Sequence, residues 1–533
     1  MKTIISLVIF LFLVLPAFAQ VDSKPSVKIL FIPLDDRPPC LQFTQKMGLI
    51  GDAEVVSPPK ELLGRFTIAG QSDKIITWLL QQDLRSFNAA VISIDMLVYG
   101  GLVGSRTYHV ELAIALQRIK VLEEIHKKAP ALPLYVQSVI MRLAPTADDK
   151  NDAFRDNLSR WAEISAKTDD DSKAATQILV NKIPAEAITN YKNARQRNLQ
   201  INLKTIDYVR SGIISFLILS QDDAKPVGVH VQDRLRLIEE TNQSGLTSKI
   251  AVQPGADEVS MLLLARALNQ YFKLSPKIKA IYSSDKASNT VMPFEDKPLK
   301  ETVSFHIRAT GSIEVQDEKQ ADLLFYVFAS RREAGRAANF AAAIEEKISH
   351  GKRLIIADID PVGDVQGGDS AFTTELENRK LLPELNGYAS WNTAANTIGT
   401  TLPQGIIFNI AEAKLLNKKT IANRIQTAQN WFTFHRVMDD YYFHGSIRSI
   451  ANIHFNQNKM SSRILDDKSN KDMEEYATQL LSKSFDDLNR IYAQRISTSR
   501  QKDFHCQAID MSFMLPWNRT FEGEINFQMK CNR

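Results

Sequence analysis

Short apolar runs alternate with amphipathic stretches along most of this chain, and that alternation predicts its fold class. Residues 27–34 (VKILFIPL) read as a first strand, followed by an amphipathic helix that includes 75–82. A second strand is expected at 89–94, a helix over 110–128 and a third main strand at 132–141. After a polar stretch of helical period over 146–212, further strands are expected at 215–220, 249–253, 321–330, 353–357 and 387–390. Two more short runs, 55–56 and 277–283, have no obvious place in the series. Strands that are apolar throughout, each followed by a helix, indicate a mainly parallel sheet buried on both faces.

Setting 275–320 aside as a β-rich insertion leaves eight strands, the number that closes a (β/α)8 TIM-like barrel. Residues 27–404 would then form the barrel, with 146–212 as a helical insertion. An open doubly wound sheet, or two of them, is the alternative. From 405 the pattern turns helical (411–416, 421–442 and 473–497) and ends in a short β-rich tail over 508–529, so 405–533 is expected to be a helical C-terminal region.

The N-terminus changes the picture of where this fold works. Lys2, the apolar run 4–15 and Ala17-Phe18-Ala19 form an export signal over 1–19, which predicts a periplasmic or secreted protein. The run is too short to span a bilayer, which takes about 20 apolar residues, and no later stretch approaches that length. No membrane insertion is expected after cleavage. A formal charge of +4 in 533 residues gives no electrostatic case for nucleic acid. Three cysteines suit export without a disulfide scaffold; Cys506 and Cys531 are close enough in sequence to pair, leaving Cys40 as a buried thiol.

Candidate chemistry lies at the C-terminal ends of the strands. The first ends in Asp35-Asp36-Arg37, the second in Asp95 and then Tyr99, and the third in Arg142. Gln221-Asp222-Asp223 and Asp257-Glu258 follow the next two. A later strand yields Asp358 and Asp360, and the last yields Trp391-Asn392 with Asn396 one helical turn on. Parallel α/β folds bring these ends to one surface, where clustered acids are tolerated if function needs shifted pKa values. A single strand-end acid can equally cap the next helix, and Trp391 can equally be core. Other adjacent acids, at 439–440, 466–467 and 486–487, fall in helical or turn contexts that read as solvated faces.

Asp222 and Asp223 end a buried apolar strand and are the expected catalytic pair. They are too close to flank a glycosidic bond as acid and nucleophile, whose carboxyl groups stand about 5 Å or more apart. They suit substrate-assisted hydrolysis, in which the 2-acetamido oxygen of the sugar attacks. One Asp then orients the acetamido N–H, and the other, its pKa raised by its neighbour, acts as acid and base. Asp35, Asp36, Arg37, Asp95, Tyr99, Arg142, Gln221, Asp257, Glu258, Trp391, Asn392 and Asn396 are the expected substrate-binding residues. No His-Glu-x-x-His, paired-Cys or Gly-x-Ser-x-Gly motif is present. No cofactor is expected, although Asp35, Asp222, Asp257, Glu258 and Asp358 are the oxygen donors a hard cation would take.

The strings PLDDRP (33–38), SIDMLVYGGLVGSR (93–106), SQDDAKPVG (220–228), PGADE (254–258), YASWNTAANTIGT (388–400) and PWNRTFE (516–522) together resemble a bacterial family known only as domain of unknown function 4127. That resemblance spans nearly the whole mature chain and implies no activity. Asp222-Asp223 at the fourth main strand is also similar to the Asp pair of O-GlcNAcase-type hexosaminidases. This similarity implies that Asp222 orients the acetamido group and Asp223 is the acid/base. An exported β-N-acetylhexosaminidase acting on a small-molecule or glycan substrate is therefore the leading expectation. A metal-dependent hydrolase of esters, amides or phosphates and a non-catalytic carbohydrate-binding protein are the alternatives.

Overall fold

The structure, a computed structural model, describes residues 25–148, 150–416, 419–458, 460–494 and 505–532. The expected signal over 1–19 lies outside the described residues. Two open parallel sheets form the frame. The first contains β1 (Val27–Ile32), β2 (Ala53–Val56), β3 (Ala89–Ser93), β4 (Leu134–Ile140), β5 (Phe216–Gln221) and β6 (Ile250–Pro254), in the order β2-β1-β3-β4-β5-β6. The second contains β7 (Lys277–Tyr282), β8 (Ile313–Glu314), β9 (Leu323–Phe328), β10 (Leu354–Asp358) and β11 (Gly387–Ala389), in the order β8-β7-β9-β10-β11. Every pairing within both sheets is parallel.

The single closed eight-stranded barrel expected from the sequence is not what these strands form. Both sheets are doubly wound, with a switch point where the first strand lies between the second and third. The segment 275–320 explains the difference, because it supplies β7 and β8 and so starts the second sheet. Helix Val259–Phe272 joins the two halves and is apolar on nearly every side. It packs on β3 and β4 with one face and on helix Ala394–Lys414 with another, and that helix in turn covers β9, β10 and β11. Apolar periodicity alone could not separate a helix between two sheets from one on the outside of a barrel.

Residues 146–212 are helical as expected, with helices Arg155–Ile164, Asp170–Val180 and Ala185–Arg210. The boundary at 404/405 falls inside helix Ala394–Lys414, so the C-terminal region grows directly out of the second sheet. It continues through helix Lys419–Arg436, a π-helical turn Val437–Ile447, and helices Arg448–Gln457 and Asp467–Ala493. Asp439 and Asp440 are buried in the π-helical turn around Arg436, not on a solvated face. An antiparallel hairpin, His505–Met514 with Glu524–Asn532, ends the described chain and carries the Cys506–Cys531 disulfide; Cys40 is a buried free thiol. No described helix is long and apolar enough to cross a membrane.

Candidate active site

Strand register assembles the site. Ile140, Gln221 and Pro254 are aligned across β4, β5 and β6, so the residues that follow them leave the sheet at one edge. There they border a cavity of about 550 Å³. The first sheet contributes Arg37, Arg106, Arg142, Asp222, Asp223 and Asp257; the second half adds Phe294, Glu295, Gln366, Asn392 and Asn396. The C-terminal region closes it with Arg448, Arg463, Trp517, Arg519 and Phe521.

Four of the lining residues, Asp223, Phe294, Gln366 and Asn392, have a positive φ between 43° and 65° although none is glycine. Such left-handed residues cost energy and gather where a surrounding structure holds a site in shape.

Charge is arranged pairwise. Arg106 donates to Asp222 at 2.6 Å and also to Thr146 at 2.7 Å. Arg142 donates to Asp223 at 2.6 Å. Burial opposes ionisation of Asp222, but Arg106 and then Arg142 hold its carboxyl below the ordinary range. The mutual repulsion expected of the two neighbouring acids is thus answered by an arginine for each. Arg37 gives Asp257 two hydrogen bonds, at 2.7 and 3.2 Å, and also grips Asp35 and Glu522. Burial still pushes Asp257 up to about 6 against that cation.

Glu295 behaves oppositely to Asp222. Its Oε1 accepts from the Ala395 N–H at 2.9 Å, and its Oε2 has no hydrogen-bond partner. Burial, reinforced by the charges of Glu258, Asp296 and Asp223, raises its pKa well above the usual carboxylate value. That environment favours the protonated carboxyl, the form that can donate.

The amide wall is a relay: Gln366 donates to Asn392 at 3.1 Å, Asn392 to Asn396 at 2.8 Å, and Asn396 to Glu258 at 2.7 Å. Glu258 itself is fully buried behind the wall, seated against Gly255 and Gly399 where any side chain would collide with it. It orients Asn396 and does not face the cavity.

Several other expected ligands also lie behind the wall. Asp35 anchors Arg37, and Asp36 accepts the Trp517 indole N–H at 2.9 Å, with burial raising its pKa to about 6. Asp95 is buried under the floor, where its carboxylate accepts the Val139 N–H at 2.9 Å. Tyr99 is buried beneath the Arg197 guanidinium, 4.0 Å from its ring centre. Gln221 donates to the Ile140 and Asp222 carbonyls within the sheet edge. Trp391 turns into the core, edge-on to Phe43, and donates to Thr400 at 3.0 Å. Of the expected set, Arg37, Arg142, Asp222, Asp223, Asp257, Asn392 and Asn396 reach the cavity.

The five oxygen donors expected for a hard cation do not form one cluster, although two of them come together. Asp35 and Asp257, with Cys40 beside them, enclose the Arg37 guanidinium. Asp358 lies in the second sheet beside Arg331 and accepts the Asp369 N–H at 2.6 Å. Asp439, Asp440 and His444 form a second compact group, and Arg436 already bridges its two acids.

The aromatic surface comes from residues other than Trp391. Phe294 is 40% exposed at the rim, and Trp517 lies between Arg37 and Arg519, whose guanidinium carbons are 4.7 and 4.6 Å from its ring centre.

A family model described as "Protein of unknown function (DUF4127)" matches residues 29–526. The chain belongs to this family. No curated protein and no solved structure matches it. The DUF4127 match reaches from β1 into the last strand of the hairpin, so all three parts of the cavity wall lie within it.

Proposed function

We propose that this chain is an exported glycoside hydrolase of the β-N-acetylhexosaminidase type, acting by substrate-assisted catalysis. One observation carries the reading: a single cavity is lined by Asp222, paired with Arg106 and so held toward the ionised form, and by Glu295, buried with one oxygen unpartnered and so pushed toward the protonated form. Carboxyl groups driven apart in this way supply a proton donor and a fixed negative charge at the same pH, as glycoside cleavage requires.

Asp222 has Oδ2 engaged by Arg106, and in this reading its Oδ1 accepts the acetamido N–H. Glu295 is the proton donor to the leaving oxygen. Asp223, the most open of the three carboxylates, stands at the mouth with Arg142 and steadies positive charge at the sugar carbon. Phe294 offers an apolar face to a pyranose ring, and Asn392 and Asn396 offer amides to its hydroxyls. The Cys506–Cys531 bridge agrees with export to an oxidising compartment.

A panel of p-nitrophenyl glycosides that includes β-GlcNAc and β-GalNAc tests the reading. Turnover restricted to 2-acetamido sugars supports it. Silence on glycosides, with chelator-sensitive cleavage of esters or phosphates instead, removes it.

A further inference from the structure

Most arginines in the cavity wall are matched by acids. Arg37 is shared by Asp35, Asp257 and Glu522, Arg106 serves Asp222, Arg142 serves Asp223, and Arg519 serves Glu522. Arg155 faces Asp156 at 2.8 Å. Arg448 and Arg463 also line the cavity, yet neither forms an ion pair with a carboxylate among the described residues.

Arg448 is the more telling of the two. It is only 6% exposed, its Nη2 donates to the Val365 carbonyl at 2.8 Å, and its Nε and Nη1 have no partner. Phe521 lies under its guanidinium, 5.3 Å from the ring centre. Burial lowers its pKa to about 10, while Glu522 and Asp439 act on it only from beyond ion-pair distance. It is therefore charged at neutral pH. A buried guanidinium with idle donors is costly unless something outside the chain completes it. The residue follows directly on the π-helical turn Val437–Ile447, a geometry that recurs at functional sites. Arg463 and Arg155 extend the same electropositive wall: burial, and then the charges of Arg142 and Arg463, lower the pKa of Arg155.

Neutral sugar hydroxyls are already provided for by the amide relay. An unmatched buried arginine calls for an oxyanion, with which its hydrogen bonds are about twice as strong as neutral ones. We propose that the sugar bound in this cavity carries an oxyanion, a carboxylate or a sulfate ester, held by Arg448 with Arg463 at the rim. The sugar itself rests on the glycosidase reading, so the test reads binding and not turnover.

Calorimetry of the mature chain with N-acetylglucosamine, its 6-sulfate and N-acetylmuramic acid provides that test. At least one of the two charged sugars is expected to bind about tenfold or more tightly than the neutral one, and the stronger of them identifies the oxyanion. The advantage is lost in Arg448→Gln, partly kept in Arg448→Lys and reduced in Arg463→Gln. The Arg463 side chain is exposed, so its variant carries the test even if Arg448→Gln does not fold. Equal binding of the three sugars, or binding of none, overturns the proposal. A charged-sugar advantage in a protein that cleaves no glycoside would leave this inference standing and remove the glycosidase reading. Turnover of neutral sugars without the advantage would do the reverse.

Discussion

Arg142 stands with Nη1 2.6 Å from Asp223 and Nε 4.0 Å from Asp222, so one guanidinium spans two adjacent acids. Together with Arg106 it sets a guanidinium against each of the two neighbouring acids. Arg142→Gln removes one of the two cations that keep Asp222 low. The acid limb of kcat/KM against pH is then expected to move up toward the ordinary carboxylate range. An acid limb that stays in place would assign it to a different group.

Leaving-group dependence separates the roles of the carboxyls. An activated p-nitrophenolate leaves without protonation, whereas a sugar alcohol does not. Glu295→Gln is expected to keep most activity on p-nitrophenyl glycosides and to lose about 100-fold or more on disaccharides. Asp222→Asn should be slow on both. In the parent, the basic limb of activity on disaccharides is expected above the usual carboxylate range, because burial raises the Glu295 pKa. Equal losses on both substrate types in Glu295→Gln would remove it as the acid.

Asp95 makes stability fall with rising pH. Burial lifts its carboxyl from 3.8 to about 7, against the Val139 N–H, the charge of Arg197 and its own backbone N–H, which pull it down. A carboxyl whose pKa is raised by folding contributes fully below its unfolded value, and that contribution is lost as pH climbs through the folded one. The loss is up to about 4 kcal/mol. Asp95→Asn keeps an acceptor for Val139 and cannot ionise. Its melting temperature is expected to exceed that of the parent at pH 8 and to match it near pH 4; an unchanged gap across that range contradicts the assignment.

The disulfide joins the open end of the hairpin whose turn carries Trp517, Arg519 and Phe521 to the cavity. Closing a loop of 25 residues is worth about 3 kcal/mol in chain entropy. Cys506→Ser with Cys531→Ser is expected to melt lower and to bind sugars more weakly. Full affinity in the double variant would show that the turn is held by packing alone.

Much of the site was legible because its residues end buried strands. FLILSQ runs straight into Asp222-Asp223, and the flanking strands end in register with it, so convergence followed from the parallel sheet alone. The closed barrel was not legible: counting eight strands required discarding 275–320, and that removed both β7 and the Phe294-Glu295 pair. Periodicity cannot say whether a buried helix lies between two sheets or outside one, and helix Val259–Phe272 decides the architecture. Depth below the edge was equally hidden. Asp95, Tyr99, Glu258 and Trp391 follow strands as the lining residues do, yet the backbone turns them under the wall. Arg448 and Arg463 sit in a region read only as helical, where nothing in sequence marks a side chain that crosses to a distant sheet edge.

Hydrolysis of p-nitrophenyl β-GlcNAc and β-GalNAc by the mature chain, beside Asp222→Asn, tests the central claim most directly. Turnover confined to 2-acetamido sugars in the parent, falling about 100-fold or more in the variant, is the expected result. Equal rates in parent and variant, or cleavage of sugars lacking the acetamido group at the same rate, would contradict it.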